Sequence, residues 1–121
     1  MAVDLKPYIY AKGKDAGLDG ELAQAKQYGK VSRGQTVLFW KYGLRRYAMP
    51  YEKVRRIFRR VEPVYGKLCC GGRSFLIEWL VLVLKDGKQV QIHIGDDVKR
   101  EAEALLAALK ESHPGIAYGK E

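Results

Sequence analysis

A chain of 121 residues, 47% hydrophobic and carrying a net charge of +8, amounts to one globular domain, long enough to bury a core and too apolar for wholesale disorder. The longest apolar run, Phe75 to Leu84, is ten residues and contains Glu78, whereas a spanning helix needs about 20. The start, MAVDLKPYIY, lacks a positive region followed by an apolar stretch, and two adjacent cysteines, Cys69 and Cys70, are no disulfide framework, so the expected location is a reducing cytoplasm.

Along the chain, residues 1–34 carry the weakest signals. Pro7 to Ala11 has the composition of a short strand, and Asp15 to Gly20 that of a turn. Leu18, Leu22, Ala25 and Tyr28 fall at helical spacing, with Gly29 where a helix would end. Thr36 to Lys41 is a compact β-branched and aromatic run. Tyr42-Gly43 interrupts it and Leu44 to Met49 follows, which predicts a hairpin closed by Pro50.

The next segment, PYEKVRRIFRRVEP from Pro50 to Pro63, is ambiguous. Val54, Ile57, Phe58 and Val61 sit at i, i+3, i+4 and i+7, with Arg55, Arg56, Arg59 and Arg60 on the opposite arc. That period favours a basic helix of the kind that contacts phosphates. Read as a strand, both faces mix charge with hydrophobe. The neighbours are strands, however, and an arginine-rich strand suits an edge or strongly twisted position. Context outweighs period, so 54–62 is expected to be a strand.

Phe75 to Lys85, then Asp86-Gly87, then Lys88 to Gly95 predicts a second hairpin. Its first strand is apolar on both faces and belongs in the middle of a sheet. Its second alternates, with Val90, Ile92 and Ile94 toward a core and Gln89, Gln91 and His93 toward water. Val98, Ala102, Leu105, Leu106 and Leu109 then form one helical stripe. Asp96 or Asp97 is expected to cap that helix, and His113-Pro114-Gly115 to end it, with His113 a cation suited to the helix dipole.

Ala48-Met-Pro-Tyr-Glu-Lys-Val54 resembles the turn signature that precedes a strand in bacterial pleckstrin-homology-like domains. Leu82 to Ile92, followed by the amphipathic helix, is similar to that family's closing hairpin and helix. The resemblance covers roughly residues 36–114. It implies a mainly β fold with a C-terminal α-helix: a PH-like barrel or sandwich of two antiparallel sheets capped by one amphipathic helix. Under it the chain divides into an N-terminal extension (1–34), the PH-like domain (35–116) and a tail (117–121). Five strands are legible where the family has seven.

The charge is uneven. Residues 30–67 hold eleven basic and two acidic residues, and the remainder eleven and twelve. Such a field attracts phosphates, anionic lipid or an acidic protein surface. The resemblance implies that cations at the first hairpin bind inositol phosphates, and Lys41, Arg45 and Arg46 stand there. Neighbours Arg45 and Arg46 would point to opposite faces, which argues against a joint grip. The Cys69-Cys70-Gly71-Gly72 stretch and the two histidines lack zinc-site spacing, so no metal is expected. Arg73 and Lys67 are not bases that would activate a thiol. Glu78 interrupts an apolar strand and would be costly if buried alone, so one of the many arginines is its expected partner. No catalytic motif is present, and no cofactor is expected. The expectation is a non-catalytic interaction module that binds a protein partner or itself. The alternative is binding to nucleic acid or an anionic lipid headgroup through Lys41, Arg45, Arg46, Arg55, Arg56, Arg59 and Arg60. Nucleic acid ranks second because arginines on a strand project to both sides.

Overall fold

The computed structural model describes residues 5–11, 13, 16–64 and 74–119. It is mainly β, with nine strands and two α-helices among those residues. A 3-10 turn at Lys6–Tyr8 leads into β1 (Ile9–Tyr10), α1 (Ala16–Gln24), β2 (Lys26–Tyr28) and β3 (Val31–Arg33). The first predicted hairpin follows as β4 (Val37–Tyr42) and β5 (Arg45–Pro50). A 3-10 turn at Tyr51–Lys53 opens β6 (Val54–Val64), and β7 (Phe75–Leu84) and β8 (Gln89–Asp96) form the second predicted hairpin. Helix α2 (Lys99–Ser112) and a last strand, β9 (Ala117–Tyr118), complete the chain.

The strands form two sheets. One has the order β1-β5-β4-β3-β2 and the other β8-β7-β6-β9. Their facing sides and α2 enclose the main core, which includes Val31, Leu38, Trp40, Met49, Ile57, Leu80, Leu82, Ile92, Leu105 and Leu109. A second, smaller cluster lies on the other face of the first sheet. There Tyr10, Val37, Phe39 and Ala48 are covered by Leu18 and Leu22 of α1. Strand β4 is therefore buried on both faces, which is why Val37-Leu-Phe-Trp40 reads as an unbroken apolar run. Strand β7 lies inside its sheet, as its two apolar faces foretold. Val81 and Val83 are buried on its outer face, in register with Phe58 and Arg56 on one side and Gln91 and Gln89 on the other. Long polar side chains are able to cover apolar surface with their stems.

The segment 54–62 is a strand, not a helix. Its ladder with β7 runs from Val54 to Val64, with one irregularity between Val54 and Arg56. Several expectations are corrected. The N-terminal helix stops at Gln24, and Tyr28 lies instead in β2 with its side chain in the main core. The second sheet is mixed, because β9 pairs with β6 in parallel. The capping helix is one of two, and β9 follows it where a tail was expected. The boundary drawn at 34/35 falls between β3 and β4, which are neighbours in one ladder.

Neither Asp96 nor Asp97 caps α2. Val98 occupies the cap position without a side-chain hydrogen bond. Asp97 instead clasps the start of β7: its Oδ1 accepts from Leu76 N at 2.9 Å and its N donates to Leu76 O at 2.7 Å. It holds a φ of 53°, a conformation that aspartate tolerates better than most residues. At the other end, Tyr118 Oη lies 2.8 Å from Leu109 O and 2.9 Å from His113 O, and donates to carbonyls at the helix terminus.

Candidate functional site

The β4–β5 hairpin turns through two residues, Gly43 and Leu44. Gly43 has φ 63°, the positive value needed at the first position of a type II′ loop. Leu44 takes the second position and is 100% exposed, and Tyr42 beside it is 67% exposed. No large apolar side chain among the described residues is more exposed than Leu44. Cations surround this tip. Lys41 lies directly opposite Arg46 in the ladder, and Tyr42 opposite Arg45.

Paired residues share a face, so Lys41 and Arg46 stand together and Arg45 stands on the other side. Sequence reasoning had set Arg45 and Arg46 apart and missed that Lys41 joins Arg46. Like charges directly opposite each other destabilise a ladder. Neither has an acidic side chain within ion-pair distance among the described residues. Both line a hollow of about 420 Å³ together with Lys30, Gln27 and Ser32. Lys30 was not singled out in the sequence. It comes from the turn between β2 and β3, and only strand order brings it to the hairpin.

The four arginines of β6 divide between the sheet's two faces. Arg59 points inward and its Nε donates to Glu78 Oε1, with Glu103 of α2 3.7 Å away. Glu78 is 0% exposed, and the Arg59 side chain 22%. The hydrogen bond to Glu78 raises the arginine's pKa further, against the opposing effect of burial. The expected arginine partner of Glu78 is thus Arg59. On the outer face Arg60 lies over the Trp79 ring at 5.2 Å and donates to Gln91 at 3.0 Å. Arg56 donates to Gly119 O at 2.7 Å, holding β9 to the sheet edge. Arg55 is exposed at the irregularity. These residues make no common phosphate-facing stripe.

No protein-family model, curated protein or solved structure matches this chain.

Behind the hollow, Lys30 Nζ lies 3.2 Å from His93 Nδ1, and His93 Nε2 lies 3.0 Å from Asp96 Oδ1. An ammonium has only donors. Nδ1 therefore accepts from Lys30, and Nε2 carries the hydrogen given to Asp96. The ring is also tilted against Trp79 at 5.3 Å.

His113 sits in a setting that disfavours the cation expected at the end of α2. It packs on the Tyr51 ring at 3.9 Å, and burial, then the nearby Arg33 guanidinium, push its pKa down. Burial pushes the Tyr51 hydroxyl up, and that hydroxyl donates to Gly34 O at 3.0 Å. No cluster of three or more His, Cys, Asp or Glu side chains suited to a metal occurs among the described residues. Cys69, Cys70, Lys67 and Arg73 lie outside those residues. No helix among them is long and apolar enough to cross a membrane.

Proposed function

We propose that this protein is a non-catalytic, pleckstrin-homology-like binding module that docks reversibly on an anionic membrane surface through the tip of its β4–β5 hairpin. The two facing sheets with α2 across their core support the fold part of this reading. The observation that carries the functional part is a fully exposed leucine and a largely exposed tyrosine at one hairpin tip, flanked by Lys41, Arg45 and Arg46.

A leucine left in water at the end of a hairpin gains about 2 kcal/mol when buried. Tyrosine suits the headgroup layer, where its ring is buried and its hydroxyl stays wet. Each lysine or arginine near an anionic surface adds about 1 kcal/mol. Leucine and three cations together give a dissociation constant on the order of 0.1–1 mM, a weak and reversible contact. The hollow holding Lys41 and Arg46 relieves its like-charge repulsion by taking a headgroup phosphate.

Sedimentation with vesicles tests this. The protein is expected to pellet with vesicles containing phosphatidylglycerol and not with pure phosphatidylcholine. Binding should weaken between low and 0.15 M salt, where the Debye length shrinks to about 8 Å. Leu44→Ser should lower it by about thirtyfold. Absence of binding to anionic vesicles at low salt would sink the proposal.

A protein partner is the second reading, favoured by β8, an eight-residue strand at a sheet edge. Edge strands pair with other chains. Sedimentation equilibrium showing concentration-dependent association would favour it, and a monomer at all concentrations would count against self-pairing.

A further inference from the structure

We propose that Lys30 is a third phosphate-binding cation of the hairpin hollow, held back by His93 and released when that imidazole takes up a second proton. This rests on the membrane-docking reading and adds a control to the same site.

The placement of Lys30 is rigid at the backbone. Gly29 has φ 59°, and a Cβ there would lie 2.4 Å from Ile94 O, so the turn presses against β8 where only glycine fits. Lys30 N donates to the same carbonyl at 2.8 Å. The lysine side chain is therefore launched beside His93 and beside the hollow together, and its ammonium rests on Nδ1.

Among the described residues, the charged groups against His93 are Lys30 from the β2–β3 turn and Asp96 from the end of β8. Through the Trp79 ring of β7 it also meets two groups of β6: Arg60, which lies over that ring, and Glu62, which accepts from Trp79 Nε1 at 3.1 Å. Asp96 already takes the Nε2 hydrogen. A proton arriving from solvent has only the Nδ1 lone pair to occupy. Two donors then face each other across 3.2 Å, and the contact with Lys30 is lost. Asp96 keeps the imidazolium in place. Lys30 moves into the hollow that it already lines with Lys41 and Arg46.

With the second proton on His93 the hollow thus passes from two engaged cations to three, with an imidazolium behind them. By linkage, an anion in the hollow favours the second proton on His93. Affinity for an anionic surface rises on acidification.

Vesicles of phosphatidylcholine and phosphatidylglycerol, whose headgroup charge is constant between pH 8 and 5.5, provide the test at fixed ionic strength. The full chain is expected to bind about fivefold more tightly at pH 5.5, the effect of one added cation. His93→Gln and Lys30→Gln should each flatten that rise, and His113→Gln should leave it. Measurable binding that is equal at the two pH values, or a rise that persists in His93→Gln, overturns the proposal. Nitrogen NMR of the His93 ring without vesicles separates the two readings. Hydrogen on Nε2 at pH 8 is expected, and hydrogen on Nδ1 overturns the gate whatever the vesicles show. The expected tautomer, with a Lys30 Nζ resonance that shifts between pH 8 and 5.5 in step with His93 Nδ1 and does not shift in His93→Gln, supports the gate even if no vesicle binds. That result would fail the docking reading alone.

Discussion

Glu78 is the one charged side chain buried to 0% exposure among the described residues, and Arg59 is what makes its position tolerable. Its Oε1 accepts from Arg59, while Oε2 is buried without a hydrogen-bond partner among the described residues. Taking a carboxylate out of water costs several kcal/mol, and one ion pair in place only partly offsets it. Removing one partner is therefore worse than removing both. Arg59→Ala is expected to lower unfolding free energy by about 3–5 kcal/mol in urea titrations. The double variant Arg59→Met, Glu78→Leu should recover most of that loss. If the double variant is less stable than Arg59→Ala, the pair contributes more than its desolvation costs and this account fails. That Glu78 needed an arginine was legible in the sequence, because a carboxylate in a ten-residue apolar strand must be paired. Which of the four arginines served was not legible, since the answer depends on the register of β6 against β7.

Elements bring a different kind of dependence, seen at the C-terminus of α2. His113 ends that helix against Tyr51, and its pKa is lowered by burial and by Arg33. A histidine depressed in the folded state binds its proton more readily in the unfolded chain. As pH falls from about 6.5 toward the folded pKa, protonation pulls the equilibrium toward unfolding. The contribution is present above that window and lost on acidification. Melting temperature is expected to drop between pH 7.5 and 5.5, and His113→Asn should reduce the drop. Sequence pattern gave this helix, its apolar stripe and its end correctly. It misjudged the histidine, because the ring that covers it comes from Tyr51, 62 residues upstream. The same limit explains α1 and β2: Tyr28 keeps helical spacing with Leu18, yet pairing with β3 claims it for a strand. In β6 the helical period of Val54, Ile57, Phe58 and Val61 was real and still lost to ladder pairing on both sides.

At the scale of the whole molecule, stability is graded from the inner strands to the hairpin tip. Strand β7 is hydrogen-bonded on both sides and packed beneath α2, and β4 is buried on both faces. Residues 42–45 have no such cover. Amide exchange is expected to be slowest at Leu80 to Leu82 and Leu38 to Trp40 and fastest at Gly43 and Leu44. Uniform protection would contradict that gradient. An uncovered tip on a buried sheet is what the proposed docking hairpin needs, since the scaffold fixes where the contact forms.

The pairing of Arg59 with Glu78 also bears on how such a sequence changes over generations. A one-residue slip of β6 would turn Arg60 inward and Ile57 out of the core, so the ion pair helps to specify one alignment over its neighbour. A single replacement at either position leaves a buried charge stranded, while the paired replacement passes through that weak intermediate. Lineages carrying this fold are therefore expected to keep positions 59 and 78 together or exchange them together, and a strand with arginines on both faces becomes an alignment key that is hard to edit one letter at a time.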